Sequence, residues 1–130
     1  MTVDIKLENP CIERKNFCIN CNNHFMEIRP LLKEIVISKH FKRDLKDNEK
    51  INSIIKNILD CSHLEFTELH KFEASIEGNL LFRAKKENLH IVYCVDKNMR
   101  IIFLRAIRNF DEYKKLLDNK KEIKAMIENL

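Results

Sequence analysis

Three apolar runs separated by connectors of hairpin length fill residues 79 to 110, NLLFRAKKENLHIVYCVDKNMRIIFLRAIRNF. Connectors as short as KEN and DKNM leave no room for a parallel crossover, which takes about a dozen residues. The runs at about 80 to 85, 89 to 95 and 100 to 107 are therefore predicted to form an antiparallel meander, with Asn88 and Asn98 accepting positive φ in a chain that holds a single Gly. Basic residues are set into these strands. Arg83, Lys85, Lys86, Lys97, Arg100, Arg105 and Arg108 stand against only Glu87 and Asp96, although the whole chain carries a formal charge of just +4. Residues 61 to 78 run the other way, with Glu65, Glu68, Glu73 and Glu77 against Lys71. Positive charge gathered on one part of a fold favours a polyanionic partner; the alternative is a set of solvated sheet edges.

Helices are expected around the meander. Ile51, Ile54, Ile55, Ile58 and Leu59 follow the i, i+3, i+4, i+7, i+8 spacing of a helix with one buried face. KEIVIS, residues 33 to 38, reads as a strand whose final Ser38 caps a helix through about Asp47, and Asn48 is the candidate cap for the helix after it. These two segments would make a helical hairpin. Asn109 with Glu112, and Asn119 with Glu122, resemble capping boxes, so a C-terminal helix is predicted to break near residue 118. Residues 60 to 78, with Leu64, Phe66, Leu69 and Phe72, follow neither period and are expected to be a locally packed loop.

At 130 residues, 45% hydrophobic and 34% charged, the chain has the composition of one globular domain. The start, MTVDIKLENP, lacks the apolar run of a secretory signal, and no segment reaches the roughly 18 apolar residues of a membrane span. No membrane association and a cytoplasmic location are expected. The odd cysteine count then points to thiols or metal ligands. Cys11, Cys18, Cys21 and His24 could close a tetrahedral zinc site, but their spacing is not a standard one, and buried thiols are the other reading.

KEIVISKHFKRDLK, LHKFEASIEGNLLFRAKKENLHIVYCVD and LRAIRNFDEY together resemble the RelE/ParE superfamily of toxins from type II toxin–antitoxin modules, over about residues 31 to 117. The resemblance implies an α+β fold, β-α-α-β-β-β-α, with a mainly antiparallel sheet packed against a helical hairpin. It divides the chain into a cysteine-containing extension, residues 1–30, and a toxin domain with a C-terminal helical segment, residues 31–130. Active RelE-branch members cut messenger RNA on the ribosome through the ribose 2′-OH, with no cofactor required, and a cognate antitoxin restrains them. Carried over residue by residue, the resemblance implies functional roles for Arg83, Lys85, His90, Arg108 and Tyr113; Arg83, His90 and Tyr113 are the expected catalytic set, and Lys85, Lys86, Arg105 and Arg108 the expected RNA-binding residues, with support or antitoxin contact the other reading of Arg105. His90 stands where many members have Arg, and Asn109 with Phe110 replaces part of a basic exit. Two other outcomes stay open: a ParE-like inhibitor of DNA gyrase, and a non-catalytic RNA- or protein-binding module.

Overall fold

A computed structural model of the protein describes residues 23–60 and 65–130. Its elements are Asn23–Ile28 (α1), Glu34–Ile37 (β1), Lys39–Leu45 (α2), Asn48–Leu59 (α3), Glu68–Ile76 (β2), Asn79–Lys86 (β3), Leu89–Val95 (β4), Arg100–Ile107 (β5), Phe110–Asp118 (α4) and Lys120–Glu128 (α5). The five strands make one mixed sheet in the order β1-β5-β4-β3-β2, with β1 parallel to β5 and every other pair antiparallel.

The expected meander is present but has four strands. Residues 68 to 76, read from the sequence as loop, form the edge strand β2. Its alternation is hidden because the register slips between Glu68 and Lys71 and again between Phe72 and Ala74, and His70 lies at φ 52°. A bulge adds a residue to one strand and so breaks the period of two that marks a strand in sequence. Turn chemistry also departs from expectation. Positive φ falls on Glu87 and Met99, not on Asn88 and Asn98, while Glu77 and Gly78, both at positive φ, close β2 onto β3 in the two-residue manner that suits strand twist.

The caps follow the chemistry read from sequence, with one shift. Ser38 Oγ accepts from the Phe41 amide and donates 2.8 Å to the Leu104 carbonyl, so one buried hydroxyl starts α2 and pins it to β5. Asp47, not Asn48, caps α3 through the amides of Glu49 and Lys50. Asn109 and Asn119 each accept from the amide three residues on, and the C-terminal helix breaks between Asp118 and Lys120.

The sheet is covered on both faces, which is why every residue of β4 is buried. One core gathers Phe41, Leu45 and the Ile stripe of α3 against Phe82, Ile91, Tyr93, Ile101 and Phe103. The other sets Tyr113 and Leu116 of α4, with Ile123 and Met126 of α5, against Leu81, Val92, Cys94, Ile102 and Leu104. Packing begins upstream of residue 31. Phe25 of α1 is fully buried in the first core, stacked on His70 with ring centroids 3.6 Å apart, and Arg29 Nε donates to the Leu59 carbonyl at the end of α3. Among the described residues no helix is long and apolar enough to cross a membrane.

Truncating Phe25 removes a ring that the core cannot refill. Phe25→Ala is therefore expected to lower stability by about 3–5 kcal/mol in urea unfolding, with the slope of the transition preserved. A change within about 0.5 kcal/mol would mean that α1 does not dock in solution.

Candidate functional site

Side chains alternate along a strand, so Leu81, Arg83 and Lys85 of β3 share the face that carries α4 and α5. Antiparallel pairing sets His90 of β4 directly across from Lys85, and Glu68 of β2 across from Lys85 on its other side. Tyr113, on the buried side of α4, lies flat on His90 with ring centroids 4.1 Å apart and planes 14° from parallel. Its hydroxyl reaches Arg83.

Arg83 is the hub. Nη1 donates to Glu68 at 2.9 Å and to the Tyr113 hydroxyl oxygen at 3.1 Å, and Nε forms an ion pair with Glu73. Burial by itself would lower the guanidinium pKa, but Tyr113, Glu73 and Glu68 together outweigh it and hold the pKa above its ordinary value. Arg83 is thus a fixed charge. Tyr113 is pushed up, chiefly by burial and also by the two glutamates, with Arg83 opposing, so its phenol keeps its proton. Because the oxygen accepts from Arg83, the phenolic hydrogen is left to donate elsewhere. His90 is pushed down, first by burial and then by Lys85, with Arg83 adding to and Glu68 opposing the shift. Its Nδ1 is buried and has no hydrogen-bond partner among the described residues, which fits a neutral ring held by stacking.

Beside this network an open cleft of about 370 Å³ is lined by Glu73, Arg83, Tyr113, Phe110, Lys114 and Lys120, among others. The three catalytic candidates, Arg83, His90 and Tyr113, therefore meet at one place, with Lys85 next to them. The remaining candidates go elsewhere. Lys86 pairs with Glu65 at 3.0 Å, and Arg108, donating to Asn88, joins Lys86 and Lys50 around a separate cleft of about 250 Å³ near α3. Arg105 is clamped by Asp44 and Glu112, tying α2 to α4. Cys11, Cys18, Cys21 and the His24 side chain lie outside the described residues. Among the described residues no group of His, Cys, Asp or Glu is placed to hold a metal ion.

Two members of the site, Glu68 and Glu73, were not singled out from the sequence. Their strand was hidden by its bulges, and the only signal was the acidic bias of residues 61 to 78 set before a basic strand. That bias has a structural use: β2 lays Glu68 and Glu73 against Arg83, while Glu65 just ahead of it reaches Lys86, so two of the seven basic residues counted on the meander are paired by this segment. Comparison of the chain with protein-family models, curated proteins and solved structures returned no match, which leaves the functional argument to this geometry.

The lowered His90 pKa fixes the sign of a pH effect. Between the folded and the ordinary value of about 6.5 the unfolded chain binds more protons at this position, so stability contributed there is present above about pH 6.5 and is lost as pH falls toward the folded pKa. His90→Phe keeps a ring on Tyr113 but cannot titrate. Urea unfolding from pH 7.5 to 5.5 should show wild type losing more stability than His90→Phe; parallel losses would mean that His90 is not held neutral by its surroundings.

Proposed function

We propose that the chain is a RelE-like toxin of a toxin–antitoxin module that cuts messenger RNA on the ribosome through the ribose 2′-OH. The observation that carries this reading is the convergence of Arg83, Tyr113 and Glu73 on one cleft, with Glu68 paired to Arg83 beside it. The reaction needs a base for the 2′-hydroxyl, positive charge for the phosphorane and an acid for the departing 5′-oxygen. The Glu73 carboxylate, which lines the cleft, is the base, Arg83 supplies the charge, and Tyr113, which keeps its proton, is the acid. The 2′-oxygen forms a bond to phosphorus, the bond from phosphorus to the 5′-oxygen breaks, and the phenolic proton goes to that oxygen. His90 becomes a positioning residue that holds the Tyr113 ring by stacking. A cognate antitoxin covering this face is part of the proposal, as is a β1-to-α4 arrangement of the RelE type with β2 added at the edge.

A second reading is favoured by one observation: Arg83 already has two acidic partners and a phenol. In that reading the network is a pin that docks α4 on the sheet of a non-catalytic module, and a gyrase-binding member falls on the same side of the divide.

Cleavage mapped by primer extension in a translating lysate separates the two. Tyr113→Phe and Glu73→Gln should each slow cleavage while folding is retained. Arg83→Ala should lower it on the order of 10²–10³, the scale for one lost donor to a developing negative charge. Arg83→Ala also leaves Glu73 without its cation and Glu68 with Lys71 alone, at 3.6 Å, so its stability should fall as well. No cutting by folded wild-type protein would remove the nuclease reading, and gyrase inhibition under those conditions would install the other.

A further inference from the structure

Phe110 opens α4 with its ring 57% exposed, although the helix behind it is anchored in the core. A large apolar side chain left mostly in water at the mouth of a polar cleft is only partly used in packing. Its surroundings are specific. The ring stands 5.9 Å from His90 and 6.3 Å from Tyr113, centroid to centroid, tilted 53° and 47° to them, so it borders the buried stack on its solvent side. The Lys114 ammonium lies 5.8 Å from the ring centroid, and Phe110, Lys114 and Lys120 line the same cleft as Arg83. Glu73 and Asp118 also line it, but Glu73 is occupied by Arg83, so the two lysines supply the cleft's uncommitted positive charge against Asp118.

An exposed aromatic ring with ammonium groups in the same cleft is an arrangement by which proteins hold single-stranded nucleic acid: a base takes the place of the Lys114 ammonium over the ring, and the neighbouring phosphates meet the cations. We infer that Phe110 is a base-stacking platform, with Lys114 and Lys120 contacting the phosphates that flank the stacked nucleotide of a single-stranded RNA. The inference rests on the nuclease reading for what enters the cleft and adds to it a subsite that grips a nucleotide beside the reacting one. Because every base has a π face, the subsite holds the strand without choosing among bases. The exposed ring also explains why a Phe can stand here at all: it is covered only when the strand is bound.

The chain contains no Trp, so Phe110→Trp places a single indole reporter at the platform. The folded variant is titrated with a single-stranded oligouridine RNA and, in parallel, with the same oligonucleotide carrying abasic nucleotides. Quenching of the indole emission by the first and a much weaker response to the second is the expected result. In fluorescence anisotropy with labelled oligouridine, Phe110→Trp should bind at least as well as wild type. Phe110→Leu, which keeps apolar area and loses the π face, should bind on the order of 5- to 100-fold more weakly. Lys114→Ala should flatten the salt dependence. Equal binding by Phe110→Leu and wild type, no binding by wild type, or an indole response indifferent to the bases would overturn the platform. Messenger RNA cleavage by wild type in a translating lysate is scored separately, so cleavage with a Phe110-independent grip discards the subsite alone, while a Phe110-dependent grip without cleavage keeps the subsite and discards the nuclease.

Discussion

The Arg83 guanidinium joins three elements at one point. Glu68 and Glu73 come from the edge strand β2, Arg83 from β3, and Tyr113 from α4 on the face of the sheet. A partly buried cation without partners would be costly, and two unpaired carboxylates beside it equally so. Together the groups offset one another's charge, and the low local dielectric that penalises an unpaired charge strengthens the assembled network. The bulged strand and the helix are thus coupled through one side chain. Stacking of Tyr113 on His90 extends the coupling to the middle of the sheet.

The same network sets what the site can do. A guanidinium held by two carboxylates and a phenol needs little reorganisation when negative charge develops nearby, which is the property a transition-state contact requires. It is also a poor lure for a distant polyanion, because its charge is largely offset. Attraction therefore falls to cations at the margin, Lys114 and Lys120 in the cleft and Lys85 beside His90. Arg105 shows the opposite allocation. Bound by Asp44 and Glu112, it holds α2 and α4 together and has no place in the cleft.

Most features governed by short-range chemistry are legible in the sequence, although the α3 cap falls on Asp47 and positive φ on Glu87 and Met99, each one residue from the Asn expected. The Ile stripe of α3, the Ser38 cap, the two Asn caps near the C-terminus and the three strands from residue 79 onward all follow from spacing and local hydrogen bonding. Features set by long-range pairing were not. β2 was missed because its two bulges break the alternation that reveals a strand, and with it went Glu68 and Glu73, whose partner lies across that pairing. The positive field read from residues 79 to 110 suffered in the same way, since the acids that cancel it come from other elements. The sequence points to Arg83, His90 and Tyr113, yet only the fold shows that the phenol reaches the guanidinium and lies on the imidazole.

The chemistry assigned to this cleft leaves a mark on its product. Attack by the 2′-oxygen with loss of the 5′-oxygen closes a cyclic phosphate on one fragment and leaves a hydroxyl on the other. End-group analysis of RNA cut by the purified protein on ribosomes is the most direct measurement. The account predicts 2′,3′-cyclic phosphate and 5′-hydroxyl ends, lost in Glu73→Gln and Tyr113→Phe. Fragments with 5′-phosphate ends, or cyclic phosphate ends formed at full rate by both variants, would contradict it.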